Sequence, residues 1–198
     1  MNAEERARIA DQLRHEAGTL LGETGLFALL HARFGEAVVT GSAGYDLMVW
    51  RGIDIHLPVE PEAWADWAGL GGEIAQQFRA TGMTLHRASY LNDYVDPHPL
   101  GAGLYWGIEF RDQAGNSWKC DIWGWDPFDF AVRQARDANL RVDLASADRD
   151  LILRLKHQAR AREDGYYGAM VTSYDIYEFA IAGAGETLEA LEGWKQAR

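Results

Sequence analysis

Residues 104–125 constrain the fold more tightly than any other stretch. Leu104, Trp106, Ile108 and Phe110 alternate with Tyr105, Gly107, Glu109 and Arg111, the two-residue period of a strand with one buried face. Residues 117–125 alternate again, with Trp118, Cys120 and Ile122 on one side and Lys119, Asp121, Trp123 and Trp125 on the other. Asp112-Gln113-Ala114-Gly115-Asn116 between them has the composition of a turn, which predicts an antiparallel hairpin. A one-residue slip would exchange the faces, so only an even register sets apolar against apolar. Pairing Arg111 with Ser117 then places Glu109 opposite Lys119, as a cross-strand ion pair, and Gly107 opposite Asp121. Glycine puts no side chain over Asp121, which is therefore expected to stay open.

A second stretch adds a candidate site. The apolar Val38-Val39 runs into the small-residue turn Gly41-Ser42-Ala43-Gly44, where backbone N–H groups can approach a phosphate closely. Gly52 to Leu57 follows as another alternating run. Ile53, Ile55 and Leu57 share the core side, while Gly52, Asp54 and His56 look outward. Asp54 and Asp121, on different strands, suit a shared divalent ion, since Mg²⁺ takes one or two carboxylates together with water and substrate phosphates. His56 reads either as a transition-metal ligand or as a polar strand residue without a ligand.

Around these strands the periodicity predicts helices over residues 3–21, 25–34 and 62–81, the last with a possible break at Gly69, Gly71 and Gly72. A third strand is predicted over 85–91. An irregular loop over 92–103 holds Pro97, His98 and Pro99, with His98 read as a loop residue. Beyond Pro127 only helices are predicted, over 128–138, 147–162, 174–182 and 186–196, with Ser146 and Ser173 as N-caps. Asp46 reads as a turn or cap residue. In the helix after Ser146, the cations Arg149, Arg154, Lys156, His157, Arg160 and Arg162 read as a solvated face; alternatively, Lys156 or Arg160 reaches a triphosphate in a cleft between sheet and tail. The tyrosines at 166, 167, 174 and 177 read as packing residues.

The formal net charge of −11 argues against broad nucleic-acid binding, which depends on neutralising phosphates with Lys and Arg. No apolar run approaches the roughly 18 residues of a membrane span, and the first residues lack the order of a signal peptide. One cysteine, Cys120, forms no internal disulfide, so a cytoplasmic location is expected. The eight tryptophans fill core, or stack on a ligand base.

Gly41-Ser42-Ala43-Gly44, Asp54-Ile55 and Cys120-Asp121-Ile122, in this order of elements, resemble the nucleotidyltransferase superfamily, including aminoglycoside and lincosamide nucleotidyltransferases and small antitoxin-type members. The resemblance covers roughly residues 20 to 130. It implies an α/β (α+β) fold with a mixed sheet flanked by helices, in a domain over 1–130, and a helical C-terminal region over 131–198. It also implies transfer of a nucleoside monophosphate from an NTP to an acceptor hydroxyl on a small molecule or protein, with Mg²⁺ or Mn²⁺. By the same resemblance Asp54 and Asp121 are the catalytic, metal-binding residues, with His56 as a further candidate ligand. Gly41 and Ser42 then bind the nucleotide; Lys156 would join them if the helix after Ser146 reaches the triphosphate, as the residue pattern allows. The family's acidic strand carries two carboxylates one residue apart; here Asp54 has Gly52 and His56 at the flanking positions. A catalytically impaired nucleotide-binding, regulatory or antitoxin-type interaction protein is the alternative.

Overall fold

A computed structural model describes residues 1–96, 101–162 and 165–198, so His98 and the centre of its loop lie outside the described residues. The chain opens with α1 (Ala3–Glu23), whose first turn is capped by the Asn2 side chain accepting from the Glu5 N–H, and α2 (Leu26–Phe34), which ends at Gly35. Then come β1 (Val38–Thr40), the single helical turn α3 (Gly41–Gly44) and β2 (Gly52–Pro58). A 3₁₀ turn at Pro61–Ala63 leads into α4 (Trp64–Ala80), which continues unbroken through its three glycines. One of these is needed for packing: a Cβ on Gly71 would run into the Trp106 ring.

The strands β3 (Thr84–Asn92), β4 (Leu104–Arg111) and β5 (Ser117–Trp125) complete one mixed sheet in the order β1-β2-β5-β4-β3. Only the central β2–β5 pair is parallel. The hairpin takes the predicted register: Arg111 pairs with Ser117, Glu109 with Lys119 and Gly107 with Asp121. The expected Glu109–Lys119 ion pair does not form. Lys119 turns along its own strand to Asp121 at 2.9 Å, and Glu109 faces Arg87 at 3.8 Å.

α5 (Pro127–Ser146) runs a further two turns past the expected end. Ser146 is therefore its last residue rather than the cap of the next helix. Asp148 caps α6 (Arg149–Ala161) by accepting from the Leu151 N–H. Likewise Thr172, not Ser173, caps α7 (Ser173–Ile181), in a reciprocal capping box with Asp175. α8 (Leu188–Gln196) starts at the Thr187 cap. Asp46 is a turn residue with left-handed backbone, φ 63°. Among the described residues, no helix is long and apolar enough to cross a membrane.

Two apolar clusters hold this α/β fold together. The first packs Ile53, Ile55, Leu57, Ile108, Phe110, Cys120 and Ile122 of the sheet against Trp67, Leu70, Ile74 and Phe78 of α4 and against α1 and α2. The second joins α6, α7 and α8 to Tyr45, Leu47 and Ala10. Helix α1 serves both clusters, and Arg6 clamps it to α6 through two 2.7 Å hydrogen bonds to Asp150.

Candidate functional site

The sheet's other face carries the polar residues. Register alone sets a row across it, Thr40, Asp54, Asp121, Gly107 and Ser89, each the cross-strand partner of the next. Asp54 and Asp121 are thus direct neighbours on parallel strands. They form the floor of a cavity of about 770 Å³, walled by α5, α6, α7 and the turn at Gly41-Ser42.

The turn touches Asp54 because Gly41 permits it. Gly41 has φ 61°, and a Cβ there would collide with the Asp54 carboxylate. Arg141 of α5 ties the turn down by donating to the carbonyls of Gly44 (2.6 Å) and Val39 (3.3 Å). From the other side the fully buried Lys156 ammonium donates to Ser42 Oγ (2.7 Å), Leu47 O (2.6 Å) and the Tyr177 hydroxyl (3.1 Å). Those three partners match its three protons. Lys156 is therefore not part of the solvated face expected for its helix. It sits beneath the turn, and Arg160, one helical turn on, lines the cavity instead.

The two carboxylates differ sharply. Burial, reinforced by the charge of Asp121, pushes the Asp54 carboxyl up to about 7. Asp121 is not open as expected. The Tyr105 ring occupies the space above Gly107, where a Cβ would strike its hydroxyl, and that hydroxyl donates to Asp121 Oδ1. Lys119 holds the other oxygen. Burial and Asp121 keep the Tyr105 hydroxyl protonated well above the usual phenol range. Lys156 is lowered to about 7 by burial, against the pull of Asp54.

His56 continues the outward row of β2 and lines the same cavity. Burial lowers it to about 4, so the imidazole is neutral, and its buried Nδ1 has no hydrogen-bond partner. No three His, Cys, Asp or Glu side chains among the described residues are grouped as a metal ion requires. Asp54 and Asp121 remain as a pair of carboxylates whose mutual repulsion a single divalent cation would relieve, with water and phosphate completing its shell.

Several cavity residues escaped the sequence reading. Asp137 of α5 is 6% exposed and accepts a hydrogen bond from the Thr40 hydroxyl. Its one available signal is an acid seven residues after Phe130, on the helix stripe that turns inward. Trp123 and Trp125 stack in parallel at 4.6 Å, with the Arg133 guanidinium 3.5 Å from the Trp125 ring centre. Across the cavity Trp50 meets Tyr167 edge-on at 4.7 Å and carries Arg160 at 4.9 Å. Tyr174, 41% exposed, lines the same cavity under Arg136.

No family model and no curated protein matches this chain. Its fold is similar to crystal structures of the Cid1 poly(U) polymerase. A mutant bound to MgATP aligns with TM-score 0.43 and 15% identity over 80% of this chain and 49% of that one. The MgGTP-bound form gives 0.45 and 16% over 89% and 55%. The complex with the UTP analogue UMPNPP gives 0.44 and 14% over 89% and 53%. The chain spans about half the length of these structures.

Proposed function

We propose that this chain binds a nucleoside triphosphate in the cavity and transfers its nucleoside monophosphate to an acceptor hydroxyl. The observation that carries the reading is the register pairing of Asp54 with Asp121 on the cavity floor, against the Gly41-Ser42 turn. Residues 1–130 supply this floor in the reading and the helices after them supply the far wall. Buried Cys120, unpaired, suits a cytoplasmic location.

Asp54 and Asp121 would hold Mg²⁺ or Mn²⁺, which when bound screens phosphate charge and orients the leaving pyrophosphate. Tyr105 and Lys119 fix the Asp121 carboxylate in one orientation. Arg136, over the Tyr174 ring, and Arg160, over the Trp50 ring, face the cavity with positive charge for the phosphates. The acceptor oxygen bonds to the α-phosphorus as the bond to the bridging oxygen breaks; pyrophosphate leaves and the hydroxyl proton passes to solvent.

A second reading, a nucleotide-binding protein of regulatory or antitoxin type without transfer, is favoured by one observation. Both Asp121 oxygens are already engaged, by Tyr105 and Lys119. Thermal unfolding with ATP, CTP, GTP or UTP, with and without Mg²⁺ or Mn²⁺, tests the common ground. Ligand at a hundred times its Kd stabilises by about 2.7 kcal/mol, a shift of roughly 5–10 °C in a chain this size. The shift is expected to need the metal and to vanish in Asp121→Asn; no shift with any nucleotide sinks both readings. Release of labelled pyrophosphate then separates transfer from binding alone.

A further inference from the structure

Lys119 stands at the boundary of two spaces. It lines the cavity together with Asp121, and it also lines an adjoining groove of about 470 Å³ together with Glu109. Its ammonium therefore has two carboxylates within reach. The hairpin register sets Glu109 directly opposite Lys119, with Cβ atoms about 5 Å apart, and one strand repeat of about 7 Å separates Lys119 from Asp121. Lys119 binds Asp121, at 2.9 Å, while Glu109 faces Arg87 at 3.8 Å.

The choice follows the local charge. The Asp121 side chain is 22% exposed and is the direct neighbour of a second acid, Asp54. Glu109 is 39% exposed and has cations, Arg87 and Lys119, as its partners on both adjoining strands. A mobile cation is drawn to the place where two carboxylates meet in partial burial.

The two holds on Asp121 are unlike. Tyr105 is packed on the Trp123 ring at 4.6 Å and donates to Oδ1 as a neutral hydroxyl, so a cation arriving at the carboxylate does not repel it. Lys119 is charged, sits on Oδ2, and has a side chain 55% exposed. An ammonium and a divalent cation on one carboxylate oxygen repel at contact distance, and water readily takes back an exposed ammonium that lets go.

We propose that Lys119 is an internal competitor for the metal, neutralising Asp121 until a divalent cation takes the carboxylate pair and then swinging across the hairpin to Glu109. Lys119 is thereby a positioning residue that acts through Asp121 and sets how tightly the cavity floor holds a cation. The proposal rests on the reading of Asp54 and Asp121 as the metal-binding pair and adds a switch to it. Tyr105 keeps Oδ1 in both states, whereas the ammonium leaves the cavity for the groove.

The test uses the full chain and Mn²⁺ alone, with free Mn²⁺ followed by electron paramagnetic resonance. Lys119→Met keeps the stem and removes the charge; it is expected to tighten Mn²⁺ binding roughly tenfold, the weight of one charge-assisted hydrogen bond. Lys119→Arg restores the cation and should bring the affinity back towards that of the native chain. Glu109→Gln removes the landing place, and is expected to weaken Mn²⁺ binding about threefold in the native chain yet change nothing in the Lys119→Met background. A plain field effect of Glu109 would act alike in both backgrounds. Equal action in both, unchanged or weaker binding in Lys119→Met, or equal tightening by Lys119→Arg and Lys119→Met overturns the switch, while the measured Mn²⁺ binding leaves the carboxylate pair standing. Absence of Mn²⁺ binding in the native and Lys119→Met chains alike overturns the switch together with that reading.

Discussion

Ile55 and Asp54 are adjacent on β2, yet they stand in opposite physical situations on the two faces of one sheet. Ile55 is fully buried in a continuous apolar cluster beneath α4. Asp54 is half-buried, on the face where charges meet: Asp121 beside it, Lys156 behind the turn and Lys119 in front. The same two-residue alternation produced both faces. Closing one with apolar side chains stabilises the fold, while closing the other around carboxylates stores unfavourable electrostatics where a ligand would relieve them.

The largest effect should come from the apolar face. Ile55→Ala is expected to cost roughly 2–5 kcal/mol in urea unfolding, since the fully buried site has little freedom to collapse. Asp54→Asn, one residue away, should change stability in the other direction and with pH. The folded pKa of Asp54, about 7, lies above its unfolded value, so the neutral carboxyl stabilises fully below about pH 4 and loses that contribution as pH rises through 7. Asp54→Asn should therefore gain on the native chain by up to about 4 kcal/mol between pH 4 and 7, and hold that gain above it. Equal effects of Asp54→Asn at pH 5 and pH 8 would contradict a buried, repelled carboxylate.

Tyr105→Phe removes the hydroxyl that holds Asp121. A hydrogen bond to a charged group is worth about 1.5–3 kcal/mol, and a loss of that size is expected by urea unfolding. A negligible change would show that Lys119 suffices to hold the carboxylate. The smallest effect sharpens the apolar side. Gly71→Ala should raise the helix propensity of α4 by about 1 kcal/mol, but the new methyl meets Trp106, and overpacking costs about 1–3 kcal/mol. A net fall in Tm of a few degrees is expected, whereas a rise would mean that the indole swings aside.

The apolar face was readable in the sequence because its pattern is local. Alternation at 104–111 and 117–125, with a turn between, set every pair from Arg111–Ser117 to Leu104–Gly124, and Ile53, Ile55 and Leu57 turned inward as expected. The polar face depends on partners remote in sequence, and there local pattern misled. Gly107 promised an open Asp121, but a vacant Cβ position is space that a tyrosine two residues away on the same strand can lean into. Lys156 looked like one more cation on a basic helix, until α7 and the turn closed over it. Asp137 belongs to the floor through Thr40, 97 residues earlier, and nothing in the composition of α5 marks that pairing. Ser146 and Ser173 lost their capping roles to Asp148 and Thr172, whose side chains reach the required N–H groups.

The hydrogen bond from Lys156 to Ser42 spans 114 residues. During synthesis the strands that carry Asp54 and Asp121 leave the ribosome well before α6 and α7, so for a time the nascent chain holds both carboxylates without the far wall. The Gly41-Ser42 turn acquires its buried anchor only when residue 156 emerges, and the Tyr177 hydroxyl joins it later still. Completion of the cavity thus falls to the last third of the polypeptide, and a chain stalled before that point presents the acidic floor with its phosphate-side turn still untethered.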